Sequence, residues 1–304
     1  MAGAQRAYHC APTAPNGLHC GAVFAAAAFE AKLEHVVSLS QWLSQPEHPS
    51  QFTREVWLND TLLEMMPDAS MTTVNVGWFA DNYFMVLEPA AQLGLLPMPL
   101  GDGTEKKNAP PSNEDIAAVA AGALMDPATH TGKTYRPTGP KLLSPNEIAE
   151  TLGKVMGRKV KYQDISDAMF QKALSAVPPP NYSDAMLTQL TIYVEEYRRG
   201  TFAVNAPTRA VEEVAGRAPE SFETIARRVV AERPEAARSA GNKLRAAANF
   251  LKIALARRPD VAAIEHRRGH VLIKNPEFCG DNAEWQQSHR PGARDTQRLL
   301  PAAA

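Results

Sequence analysis

The run Trp78-Phe79-Ala80-Asp81-Asn82-Tyr83-Phe84 sets large aromatics beside a carboxylate and an amide. An amide offers both a donor and an acceptor to a carboxamide or a substrate carbonyl. Just before it, Thr72, Thr73, Val74 and Val76 are β-branched and suit a strand, and Gly77 lets the chain turn or a ligand come close. In an open α/β sheet, ligands sit at the carboxyl ends of the strands. Met71–Phe84 therefore reads as a strand ending in a pocket floor. A strand that runs into an apolar helix face fits the same residues, and spacing alone leaves both readings open.

Other reactive side chains are more scattered. His48 lies in the Pro-flanked loop Ser44–Pro49 and reads as a surface residue. His266 and His270 have a helical metal spacing, but Gly269 and a polar surrounding weaken it, so no metal site is expected. Cys10, Cys20 and Cys279 are odd in number and lack metal spacing. They read as buried, inert thiols in a reducing cytoplasm. Lys106-Lys107 and Arg267-Arg268 are too short for a nucleic-acid footprint. With 304 residues, 44% hydrophobic content and a formal net charge of -1, the chain has no field to attract nucleic acid or an anionic membrane. No run is long and apolar enough to span a bilayer.

The elements that must position these residues alternate. Ala7–Ala11 is a short strand, Leu18–Lys32 a helix, His35–Leu39 a strand buried on both faces, and Ser50–Met66 a helix. With the strand at Met71, this order predicts parallel pairing through right-handed crossovers. Leu93–Pro111 reads as loop. Ser112, Ser144 and Ser221 are N-caps, and Ser144-Pro145-Asn146-Glu147 is a capping box. Lys159–Ile165 alternates like a half-buried strand. Ser166–Ala176 and Asp184–Gly200 read as helices on either side of Pro178–Pro180. Asn242–Arg258 is a basic amphipathic helix, read as surface or partner-packing, and the polar tail beyond Asp260 reads as disordered.

The blocks HVVSLSQW, TTVNVGWFADNY, SNEDIAAVAAGAL, GKTYRPTGPKLLSPNEIAETLGKVMGRKVKYQDIS and GRAPESFETIARR resemble the NmrA-like family, atypical short-chain dehydrogenases/reductases with a Rossmann domain. The likeness runs from about Tyr8 to Val230. It implies an α/β fold: a partial Rossmann-like parallel sheet over 1–135, a smaller, α-rich substrate or lid region over 136–232, and a helical extension with a tail over 233–304. It also implies an NAD(P)H-dependent oxidoreductase using NADP or NAD on a small acceptor such as a quinone or azo dye. The alternative is a non-catalytic, redox-sensing regulator with a protein partner. Matched motif to motif, Pro12, Thr13, Ala14, Phe79 and Asn82 face the dinucleotide, with Trp78 and Tyr83 at the substrate pocket. Ser40 stands where the superfamily often keeps a hydroxyl.

The sequence departs from the classical superfamily members in one place and from the family itself in one decisive place. The superfamily's Tyr-x-x-x-Lys pair is absent from the helix that starts near Ser50, so no catalytic residue is assigned. Arg54 could bring charge near a nicotinamide, but a solvated helix arginine is the favoured reading. The family's GxxGxxG turn, which cradles the pyrophosphate, is also absent. The chain reads as starting just before the family's fourth strand. This predicts poor NAD(P) binding, an exposed edge at Ala7–Ala11 and unpartnered apolar side chains on the first helix.

Overall fold

The computed structural model describes residues 1–14, 16–179, 182–270 and 273–289. The expected βαβαβ start is present. Strand β1 (Arg6–Cys10), helix α1 (Gly17–Glu30), β2 (His35–Gln41), α2 (Gln51–Glu64) and β3 (Ser70–Val76) follow one another. Ser50 caps α2 by accepting from the Thr53 amide. After β3 come α3 (Asp81–Phe84), α4 (Leu87–Leu93), β4 (Leu95–Met98), α5 (Asn113–Met125), α6 (Pro127–His130) and β5 (Thr134–Tyr135). The four-stranded parallel sheet has the order β1-β2-β3-β5.

Alternation along β2 explains why that strand is buried on both faces. Val36 points toward α1 and α2 with Ala25, Ala28 and Leu63, while Val37 points toward α5 with Ile116, Val119 and Ala123. Helix α1 lies so close to α2 that a Cβ on Gly21 would sit 1.8 Å from Asn59 Oδ1. Among the described residues, β1 pairs only with β2. Beside this edge Tyr8, Leu18, Val23 and Phe29 are exposed. The order also runs one way, so this sheet has no strand-order reversal of the kind that makes a dinucleotide crevice.

The remaining elements are α7 (Pro145–Val155), β6 (Lys161–Asp164), α8 (Asp167–Ala176), α9 (Asp184–Arg198), α10 (Ala210–Ala215), α11 (Phe222–Glu232), α12 (Ala240–Leu255), α13 (Val261–Arg267) and α14 (Ala283–Ser288). Ser112, Ser144 with its full capping box, and Ser221 cap α5, α7 and α11 as expected. The loop expected over Leu93–Pro111 instead contains β4, which pairs in parallel with β6 in a separate two-stranded sheet. A four-residue strand containing Pro97 carries no local strand signal, and its partner lies far along the chain. On α12, Leu244, Phe250, Leu251 and Leu255 are exposed. Among the described residues, no helix is long and apolar enough to cross a membrane.

The tail differs most from expectation. Beyond Asp260 the chain forms α13 and α14, and Ile264, Cys279 and Trp285 join the main apolar cluster. Composition read this segment as disordered because its few apolar residues are widely spaced. Ile264, Cys279 and Trp285 nevertheless enter a cluster that is otherwise formed by the rest of the fold. Residues 290–304, also covered by that expectation, lie outside the described residues.

Candidate functional site

The first residues past three neighbouring strands meet on one side of the sheet. Trp42 follows β2, Gly77 follows β3 and Arg136 follows β5. The Trp42 amide donates to the Val76 carbonyl (3.0 Å), and its indole N–H donates to the Thr201 carbonyl (3.1 Å). The Arg136 guanidinium lies 3.6 Å above the Trp42 ring. It donates to the carbonyls of Phe202 (2.8 Å) and Val204. Burial, with no carboxylate to offset it, lowers Arg136 to about 9. A Cβ on Gly77 would come 3.1 Å from the Phe202 ring and 3.5 Å from the guanidinium, so glycine permits this approach.

The tail covers this cluster. Trp285 and His289 stack with ring centroids 4.2 Å apart, and both meet the Trp42 ring edge-on. Burial lowers His289 to about 4, so the ring is neutral at physiological pH.

Beside it lies a buried carboxylate. Glu196 Oε1 accepts from His48 Nε2 (3.2 Å) and the Cys279 amide (2.6 Å). Its Oε2 accepts from the Thr201 hydroxyl (2.5 Å) and the Gly280 amide (3.3 Å). The Ser50 amide donates to His48 Nδ1, so the ring proton sits on Nε2. Burial alone would raise the Glu196 pKa, but the hydrogen bonds from His48 and Thr201 outweigh it and hold it below the ordinary range. Burial lowers the pKa of His48 and pushes the Cys279 thiol well up. The result is a carboxylate, a neutral imidazole and a thiol. The thiol donates to the Leu43 carbonyl at 3.4 Å, so it is no nucleophile as placed. His48, Glu196 and Cys279 present ligand atoms within 4.8 Å of one another, but the hydrogen bonds described already engage each of them.

A third buried group sits between β2 and α2. Asp60 accepts from the hydroxyls of Ser38 (3.2 Å), Ser40 and Ser44 (3.4 Å). Burial raises its pKa to about 7 despite these bonds.

The residues singled out from sequence fall into three groups. Pro12 and Thr13 are exposed and Ala14 half-buried in the loop after β1, and Phe79 and Asn82 are half-buried after β3. These lie at the carboxyl ends of strands. Ser40 is buried, and its hydroxyl is committed to Asp60. Trp78 and Tyr83 are wholly buried: the indole packs on Tyr197 and Phe202, and the Tyr83 hydroxyl bonds that of Tyr197 (3.1 Å). In this arrangement they form the floor's interior, enclosed by other aromatics.

Four expectations are corrected. His48 is buried, not at the surface. Arg54 is buried too, and its guanidinium holds the loop before α2 through the carbonyls of His48 (2.6 Å) and Pro49 (3.1 Å). Both depend on a Pro-flanked loop folding back over its own helix. Cys10 is exposed and Cys20 half-buried, because β1 is an edge. Sequence reasoning missed Trp42 and Arg136 as a pair. Their only signal was a large polar or aromatic residue placed directly after each short apolar strand.

The parallel sheet, the helices on both faces and the cluster past the strand ends define a Rossmann-like α/β protein. The chain belongs to the NmrA-like family, whose model matches residues 1–220. It is 28% identical to the NAD(P)H azoreductase of Xenophilus azovorans over 229 residues, 75% of this chain and 76% of that one. The fold also resembles an NADPH-dependent quinone oxidoreductase from Escherichia coli solved with NADPH (TM-score 0.64, 21% identity, 75% of this chain and 77% of the other). A further structure of like fold is NmrA, a negative transcriptional regulator, with NAD (TM-score 0.56, 15% identity, 84% and 79%).

Proposed function

We propose that this chain carries the acceptor-binding part of an NAD(P)H-dependent oxidoreductase acting on a small quinone- or azo-type molecule. The match to the azoreductase, over three quarters of both chains, carries this reading. A bound nicotinamide would supply hydride. Pro12–Ala14, Phe79 and Asn82, at the carboxyl ends of β1 and β3, suit its nicotinamide side. The described residues do not suit its pyrophosphate: the turns after β1, β2 and β3 contain no GxxGxxG, and β1 is an edge. Trp42 and Arg136 bind and orient the acceptor, and the aromatic floor around Trp78 keeps water out. The free thiols fit a reducing compartment, the cytoplasm.

Two ligands separate the parts of this reading. A ligand at a hundred times its dissociation constant stabilises a protein by about 2.7 kcal/mol, which a thermal melt detects. Quinones or azo dyes should raise the melting temperature of residues 1–304, and NADPH should not. An NADPH shift would show that the pyrophosphate is held without the glycine turn. Silence across the whole acceptor panel would remove the acceptor reading. The Asn82 amide can meet an acceptor carbonyl as well as a carboxamide, so Asn82→Ala should weaken acceptor binding several-fold by removing one hydrogen bond of about 1 kcal/mol; unchanged affinity would take Asn82 out of the acceptor site.

A second reading, a redox-sensing regulator, is compatible with one observation. Helix α2 has no Tyr or Lys, and Arg54 is spent on backbone carbonyls. Acceptor reduction without any protein partner would exclude it.

A further inference from the structure

A guanidinium buried without a carboxylate is an expensive feature to keep. Arg136 is such a group: its charge rests on two carbonyls and the face of Trp42. Among the described residues, its Nε has no hydrogen-bond partner, and neither has the indole N–H of Trp285 beside it. Arg136 thus places a buried donor at the carboxyl end of β5, where α/β proteins place ligands. The group set against Trp42 beside it is itself flat, aromatic and neutral: the Trp285–His289 stack.

The segment that brings this stack has two parts. Its base is fastened. The Glu277 amide donates to the Glu47 carbonyl (2.9 Å), and Cys279 and Gly280 donate to Glu196. Beyond Gly280, α14 buries only Trp285 within its six residues, with His289 directly after it. Ala283, Glu284, Gln287 and Ser288 are exposed. The helix is thus held to the body mainly by two rings set against Trp42.

We propose that Trp42 and Arg136 bind a flat aromatic acceptor carrying negative charge, and that α14 fills the acceptor's place with its Trp285–His289 stack until the acceptor displaces it. This rests on the reading above that the chain binds a small acceptor, and it adds the charge of that acceptor and the device that guards it. Arg136 selects the anion, since a guanidinium pairs with two oxygens of an acid group through parallel N–H donors. Trp42 supplies the stacking face.

Anthraquinone-2-sulfonate is a suitable probe, with the uncharged 2-(hydroxymethyl)anthraquinone beside it. Binding to the whole chain is followed by calorimetry. Removing the competing stack with Trp285→Ala should tighten the sulfonate about tenfold or more, because less binding energy goes into opening the site. On that variant the sulfonate should bind about tenfold better than the uncharged quinone, the worth of one charged hydrogen bond. Equal affinity in wild type and Trp285→Ala overturns the displacement, and equal affinity for the two quinones overturns the role of Arg136. In either case the acceptor reading stands. Binding of neither probe to either chain overturns both. Should Trp285→Ala not fold, hydrogen exchange on the wild-type chain decides. Saturating sulfonate should speed exchange across 283–289 and leave 277–280 protected, and no change there marks α14 as a fixed part of the core.

Discussion

Glu196→Ala is expected to cost about 3–5 kcal/mol of stability, since a buried donor left without its acceptor costs about 1–3 kcal/mol and several are left at once. The carboxylate is fully buried and accepts from His48, Thr201 and the amides of Cys279 and Gly280. Alanine leaves all of these donors buried without an acceptor, and each such loss is costly. Those amides also anchor the segment that carries α14. Chemical denaturation measures the loss, and hydrogen exchange should show residues 277–289 opening first. Arg209→Ala, which breaks the exposed pair with Glu212, should change stability by less than about 1 kcal/mol. A Glu196 variant as stable as this control would show that the amides find other acceptors.

The same cluster sets the acid limit of the fold. Glu196 has a lowered pKa in the folded chain, so its contribution is present above the unfolded value of 4.5 and is lost as pH falls through the folded one. His48 is also lowered, so the unfolded chain gains a proton first, below 6.5. Both groups destabilise the fold in the same direction, on acidification.

Asp60→Asn is expected to have an effect of similar size and opposite sign. Asp60 is buried with three serine hydroxyls as donors and no cationic partner among the described residues. Its pKa of about 7 stands above the ordinary value of 3.8. The folded chain therefore holds a proton that the unfolded chain has released. This contribution is fully present below the unfolded value and is lost as pH rises through about 7. At about 1.4 kcal/mol for each pH unit between the two values, the penalty at pH 8 is about 4 kcal/mol. Asparagine keeps a carbonyl for the serines and cannot ionise. The variant should gain up to that amount at pH 8, less than half of it at pH 5, and little below the unfolded value of 3.8. Glu64, raised to about 7 by burial and by the charge on Asp60, titrates with it, so the observed midpoint belongs to the pair. Melting curves for both chains at the two pH values test this, and parallel pH profiles would show that Asp60 does not ionise in the fold.

Local rules made the scaffold legible. Apolar strands alternating with helices, serine caps at α5, α7 and α11, and Gly157 after α7 each depend on residues a few positions apart. The order of blocks along the chain was enough to place it in its family, and the lack of a glycine turn was visible as spacing alone. The centre of the molecule is built otherwise. Trp42 bonds Thr201 and stacks near His289, Arg136 reaches Phe202, and His48 meets Glu196 and Cys279. Such pairs leave no periodic trace, because each partner lies in a different element and only the packing of the elements brings them together. The same packing encloses Trp78 and Tyr83: the residues around them, Tyr197 and Phe202, come from more than a hundred positions further along the chain. It also folded a tail that composition alone marks as disordered, since a polar segment is ordered once a few of its rings find an apolar cluster that other parts of the chain have already formed.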